Sequence, residues 1–461
     1  MEVLETSKVY VRVFTRNPKP WRFWKPPGFI NNPTNFLSYI CKTLSTLIEK
    51  TMIKKALFNF AVLLIIGTPL FAQFSLTGEL RPRNEYRHGF SSLIGPDEDA
   101  AFFVSQRSRL NFGYEHTDVK VFISLQDVRV WGEVPQLNRS DANSSIHEAW
   151  AEIPLNQQFA LKLGRQELIY DNSRIFGNVD WAQQGRSHDL ALLKLDLPSG
   201  IRLHGGLAFN QEGERRIGTI YQLGNYKTMQ FVWFNYKPGN TGISVLAMNL
   251  GFQHSVEKTV FNQTLGAYIT HDMGDTRLEG SYYLQTGKDA FDRDLSAWYL
   301  GAEASTPLSE QWTARVGFEW LSGTNMRTTH KNNSFNPWFG TNHRFNGHMD
   351  YFYVGNHINN VGLRDLYLSA NYLQGPWMAM AALHGFWADA GLYEAGPAFE
   401  QMNSYLGTEL DVMMGYALNP SVALRLGYSH MFATRTMQRI KGGSRNEPQY
   451  WFWTMIVIKP K

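Results

Sequence analysis

The stretch Phe74–Arg87, "FSLTGELRPRNEYR", decides the fold by its period. Ser75, Thr77, Glu79, Arg81, Arg83, Glu85 and Arg87 occupy one set of alternate positions, and Phe74, Leu76, Gly78, Leu80 and Tyr86 the other. Side chains of an extended chain point alternately to opposite faces, so the stretch spells a β-strand with one charged and one apolar face. Pro82 is the awkward member of the apolar set, since proline suits an edge or a bulge.

The same period returns along the chain. "FFVSQRSRLNFGYE" sets Ser105, Arg107, Arg109 and Asn111 against Phe102, Val104, Leu110, Phe112 and Tyr114. "VKVFISLQ", "IRLHGGLAF", "TRLEGSYYLQ" and "WTARVGFEW" repeat it, with Arg277, Glu279, Ser281 and Gln285 on one face, and Thr313, Arg315 and Glu319 on another. Turn clusters separate such segments at 197–200, 237–240, 272–275 and 418–421. The last segment, "QYWFWTMIVIKPK", is apolar on both faces, which predicts either a closing strand packed against something inside or a strand whose register the pattern does not define. Its terminal Lys461 departs from the aromatic residue on which many outer-membrane barrels finish.

A β-sandwich also alternates, but a single such domain is usually smaller. Aromatics at strand ends and paired charges on the opposite face suit a lipid-facing girdle around a wet interior. An open sheet in lipid would leave edge N–H and C=O groups unpaired, so the sheet must close. The 389 residues from Gln73 onward, at roughly 20 per strand with its connection, predict a transmembrane antiparallel β-barrel of about 18 strands, range 16–20, with a polar, arginine-rich lumen.

Upstream, "MIKKALFNFAVLLIIGTPLFAQ" has a positive start at Lys54 and Lys55, an apolar core from Phe60 to Ile66, and a small-residue cleavage site at Ala72. Residues 52–72 therefore read as a signal peptide, too short and too broken by Gly67 and Pro69 to anchor permanently. Residues 1–51 read as a non-native extension from a start placed too early, and 73–461 as one barrel domain. Residues 1–72 hold ten Lys or Arg and three Asp or Glu of the 44 and 40. The remainder thus carries 34 basic and 37 acidic residues, a net of −3, which removes the argument for a nucleic-acid partner. The single cysteine, Cys41, also lies upstream, which excludes thiolate metal sites and a cysteine nucleophile from the barrel.

Seven stretches carry a family resemblance: "QDVRVWGE" (126–133), "HEAWAEI" (147–153), "KLGRQELIYDNSRIFG" (162–177), "WAQQGRSHDLALLKL" (181–195), "FEWLSGTN" (318–325), "FGTNHRFNGHMDYF" (339–352) and "GLRDLYL" (362–368). Together and in this order they resemble the alginate-export family of outer-membrane barrels. The resemblance implies a monomeric barrel in the Gram-negative outer membrane, in contact with its lipid, passing an anionic uronate polysaccharide or oligosaccharide passively through an arginine-lined pore.

Arginine suits that task because its planar fork of donors stays charged and grips carboxylates in pairs. Alternation selects Arg81, Arg83, Arg107 and Arg109 as pore-lining, substrate-binding candidates. The family-like motifs select Arg129, Arg165, Arg174 and Arg186. Each has a second reading, a wall network with Glu79, Glu85, Glu148, Glu152 or Glu167. The stretch 322–360, rich in Asn, His and aromatics, reads either as a loop over or in the lumen, with Trp338, Phe339, Asn342 and Tyr351 as candidate sugar contacts, or as an external loop that packs on itself.

No cofactor, metal or catalytic residue is expected. His330, His343, His348 and His357 match no metal-ligand spacing. Ser187, His188 and Asp189 cannot converge as strand neighbours. The alternatives are a general anion- or oligosaccharide-permeable porin and, further off, a lipid-modifying barrel, which would need an outward Ser beside an outward His.

Overall fold

The computed structural model describes residues 73–460 apart from 222–223, 353–356, 358–359 and 397–399. The expected extension (1–51) and signal peptide (52–72) lie outside the described residues.

The wall strands are β1 (Gln73–His88), β2 (Ala101–His116), β3 (Val119–Val130), β4 (Ser144–Pro154), β5 (Phe159–Gln166), β6 (His188–Asp196), β7 (Arg202–Phe209), β8 (Thr228–Tyr236), β9 (Thr241–Gln253), β10 (Thr259–Met273), β11 (Thr276–Lys288), β12 (Asp294–Pro307) and β13 (Trp312–Leu321), then β15 (Leu363–Gln374), β16 (Trp377–Trp387), β17 (Tyr405–Asn419), β18 (Val422–Ala433) and β19 (Gln449–Ile458). β14 (Lys331–Asn332) is a two-residue piece lying parallel to β12 within a loop. Each wall strand pairs antiparallel with its sequence neighbours, and β1 pairs with both β2 and β19, so eighteen strands close into a barrel. Closure leaves no sheet edge, which a lipid surround requires.

The opening stretch lies in β1 with the expected register. Arg81, Arg83 and Glu85 are buried inward, while Phe74 is 66% and Leu76 54% exposed on the outer face. In β2 Arg107 is fully buried and Phe102 is exposed. In β11 Ser281, Tyr283 and Gln285 face in while Tyr282 and Leu284 face out. This outer apolar band far exceeds what a water-soluble monomer exposes, and lipid is the solvent that removes its cost. Pro82 pairs with Gln106 of β2 but falls in a gap of the β1–β19 register between Leu80 and Arg83, where its missing N–H is harmless.

All four turn clusters read from the sequence fall at the same end of the barrel as both strand-terminal ends, Gln73 and Ile458. There the connections are tight, as at Gly274, whose positive φ of 61° a two-residue turn favours. The opposite end carries the long connections, including 167–187, 210–227, 322–362, 388–404 and 434–448, the last containing helix α1 (Arg435–Lys441).

Candidate functional site

Two long connections fold into the barrel and pack on each other. The β5–β6 loop (167–187) and the β13–β15 loop (322–362) meet through a parallel bridge between Phe176 and Phe339, with Gly177 N–H donating to Phe339 O at 2.8 Å and Thr341 N–H to Ser173 O at 2.9 Å. Leu168, Ile175 and Phe176 bury against Phe231 and Trp233 of β8, giving this insert an apolar core of its own. Gly340 allows the close approach: a Cβ there would lie 2.3 Å from Arg174 O.

The insert explains the closing strand. Trp451, Trp453 and Met455 of β19 face inward and are buried, and Trp181 of the first loop sits edge-on to both tryptophans at 5.5 and 4.9 Å. His343 of the second loop stacks on Trp181 at 4.4 Å. The inner face of β19 is therefore apolar because it packs on the insert, and its outer face because it meets lipid.

Four of the predicted arginines fasten the insert to the wall. Arg107 Nη2 donates to Glu79 Oε1 at 2.5 Å and to Asp180 Oδ1 at 2.7 Å. Arg81 reaches Asp180 Oδ2 at 3.3 Å and Gln183 Oε1 at 3.1 Å. Partial burial pushes the Asp180 carboxyl up, and the charges of Arg107 and Arg81 outweigh it, holding it at about 2. Arg83 donates to Glu85 at 2.8 Å and to Trp181 O at 2.7 Å. Arg174, inside the first loop, donates to Glu319 Oε2 of β13 at 2.9 Å and to Asn346 Oδ1 of the second loop at 3.0 Å. Asn342, expected to touch sugar, accepts from Arg174 Nη1 at 3.4 Å, and Tyr351 is sealed with its hydroxyl on Gly89 O.

The other four are more open. Arg109 donates only to neutral oxygens in the bonds described, Gln126 Oε1 at 2.9 Å and Gln184 O at 3.3 Å. Arg129 pairs with Asp127 and Asp141. Arg165 pairs with Asp189 at 3.0 Å, and Arg186 donates to Gly340 O at 3.1 Å. Arg165 and Arg186 come together with Trp338 and Phe339 around one cavity of about 530 Å³ at the long-loop end. A neighbouring cavity of about 350 Å³ shares Tyr221, Asn225 and Trp338 with it and adds Phe252, Asn262 and Gln285. Sequence reasoning missed Asp180, Trp181 and Gln183, and it missed the residues of this second cavity, because their partners lie on strands distant in the chain.

Ser187, His188 and Asp189 diverge. His188 is buried against the Tyr226 hydroxyl at 2.9 Å and Asp189 turns to Arg165. Ser187 instead meets His147 Nδ1 at 3.3 Å, and His147 Nε2 meets Glu167 Oε1 at 2.8 Å. His147, Glu148 and Glu167 are the one group among the described residues with metal-ligating atoms mutually within 4.8 Å. Their oxygens already accept internal bonds: Glu148 Oε2 from Glu167 N–H at 2.9 Å, and Glu167 Oε2 from Asn178 at 3.0 Å. On the lipid face, His430 of β18 lies between Tyr428 and Phe432, while the adjacent Ser429 turns inward to Asp411.

No protein-family model matches the chain, and no curated protein matches it. Solved structures do. Pseudomonas aeruginosa OpdO aligns with a TM-score of 0.54 at 14% identity, over 84% of this chain and 97% of its own. Acinetobacter baumannii OccAB4 aligns at 0.57 and 12%, over 85% and 100%. P. aeruginosa OccK9 (OpdG) aligns at 0.56 and 14%, over 84% and 98%. At these identities the likeness is one of fold: this chain has the barrel architecture of the Occ/Opd outer-membrane porins.

Proposed function

We propose that the protein is a passive channel of the Gram-negative outer membrane, acting as a monomer among its lipids and passing anionic oligosaccharides, with alginate-like uronates as the class the sequence resemblance implies. The observation that carries this reading is the convergence of Arg165, Arg186, Trp338 and Phe339 on one cavity at the long-loop mouth. Guanidinium groups take carboxylates, and flat rings take the C–H faces of sugars. The porin architecture supports a channel. A similar barrel, P. aeruginosa OpdK, was solved with vanillate, a carboxylate.

Carboxylates on Arg81, Arg83, Arg107, Arg129, Arg165 and Arg174 favour a second reading, since they offset much of the predicted arginine charge. A general anion- or oligosaccharide-permeable porin needs no more than the partly exposed arginines at the mouth. Reversal potentials across planar bilayers in a salt gradient, repeated with oligo-uronates, separate the cases. Anion selectivity with uronate block supports the specific reading, anion selectivity without block supports the general one, and cation selectivity refutes both.

A further inference from the structure

The 350 Å³ cavity beside the arginine cavity has a different chemistry. Trp338 stacks on Phe252 at 5.4 Å with 23° between the rings. Its backbone sits at a φ of +46°, uncommon for a bulky residue, and is held by its N–H donating to Asn336 Oδ1 at 2.9 Å and its indole N–H to Thr264 Oγ1 at 3.2 Å. Asn262, on the inward face of β10, is 1% exposed, lines the cavity, and has a side-chain oxygen without a hydrogen-bond partner.

Charge is absent from what this cavity can offer a ligand. Asp289, the one charged residue in its lining, has both carboxylate oxygens engaged by Arg293, Asn332 and the Phe291 N–H. Gln285 is likewise committed, its amide bridging Thr264 and Asn336. Beside them stand a stacked aromatic pair and a buried amide whose oxygen has no partner. A ring hydroxyl can donate to that amide oxygen, and a lining without a cationic side chain offers nothing to balance an ionised carboxylate, which disfavours a uronate here. Trp338 lines both cavities, so a ligand seated in one reaches the other at once.

We infer that the outer mouth holds a neutral-sugar subsite, built on Trp338, Phe252 and Asn262, adjoining the anion subsite of Arg165 and Arg186, so that the ligand captured from outside is an acidic hetero-oligosaccharide with a neutral pyranose next to a uronate. The anion half of this inference rests on the proposed channel function; the neutral half rests on the second cavity alone.

The test uses the full barrel in planar bilayers, with current block titrated from the long-loop side. Three probes are compared: an oligosaccharide alternating glucuronic acid and glucose, an oligo-mannuronate, and a neutral cello-oligosaccharide. The mixed probe is expected to bind about tenfold more tightly than either of the others. Phe252→Ala, which lines only the second cavity, removes that advantage while leaving oligo-mannuronate block unchanged, and Arg186→Gln weakens block by both acidic probes. Asn262→Leu removes an already unpaired polar atom and so spares the fold; it should remove the same advantage, and heat-modifiable gel mobility confirms folding of each variant.

Equal affinity for mixed and all-uronate probes overturns the inference, as does an equal loss of both in Phe252→Ala, or block only from the short-turn side. If the pore proves cation-selective, the anion-channel reading fails separately. Neutral-probe block abolished by Asn262→Leu then still supports the subsite, and neutral-probe block indifferent to that change overturns it.

Discussion

Asp180→Asn tests whether the insert is held by the arginines of β1 and β2. The substitution keeps the side-chain shape and removes the charge that bonds Arg107 at 2.7 Å and Arg81 at 3.3 Å. Breaking a fully buried ion pair costs about 3–5 kcal/mol. Two features lower that figure here. The Asp180 side chain is 51% exposed, and Glu79 remains 2.5 Å from the same Arg107 nitrogen. The expected loss is therefore about 2 kcal/mol of docking free energy, roughly a 30-fold shift toward the released loop. Single-channel recordings should show more frequent large-conductance excursions, and limited proteolysis should cut within 167–187 faster than in the parent.

The pH dependence follows the same group. Its carboxyl is held at about 2, below the ordinary 3.8, so the fastening is complete above about 4 and is lost as pH falls through 2. The parent should gain the large excursions on acidification, and Asp180→Asn should show them already at neutral pH. Identical conductance and proteolysis in the two proteins at neutral pH would refute the fastening.

Other positions test the same architecture. Gly340→Ala places a Cβ within 2.3 Å of Arg174 O, so the two loops cannot dock as they do, and conductance should rise with the barrel itself intact. Trp181→Ala removes the ring between His343 and the β19 tryptophans, and should cost about 3 kcal/mol, read as a lower temperature for the heat-modified gel shift. Leu265→Arg on the outer face of β10 should cost about 2–4 kcal/mol and impair assembly into liposomes; normal assembly would show that this face does not meet lipid. Arg165→Gln with Arg186→Gln should move the reversal potential toward zero more than Arg81→Gln does, since the Arg165 side chain is 42% exposed at the mouth and the Arg81 side chain only 5%.

Much of the wall was legible because period two is local. Arg81, Arg83 and Arg107 face inward and Phe74, Leu76 and Phe102 outward, as alternation alone requires. The short turns were legible for the same reason, since Gly, Pro, Asn and Asp mark tight connections within a few residues. The double apolar face of β19 signalled that something packs inside, without saying what. The insert supplies the answer through Trp181 and His343, residues that no local pattern marks.

The arginines show where local reading stops. Strand position determined that Arg107 points inward, but whether it meets solute or carboxylate depends on Asp180, which lies 73 residues away in a loop. Likewise, motifs pointed to Arg165 and Arg186 and the aromatic-rich composition of 322–360 to Trp338 and Phe339, and only the folding of two distant loops into one insert put them around a single cavity. Alternating polarity, set residue by residue, determined that this chain makes a closed, lipid-embedded sheet. Which arginines are buried against the insert and which stay open at the mouth was decided by long-range docking, because an ion pair depends on distance in space and not on position in the chain.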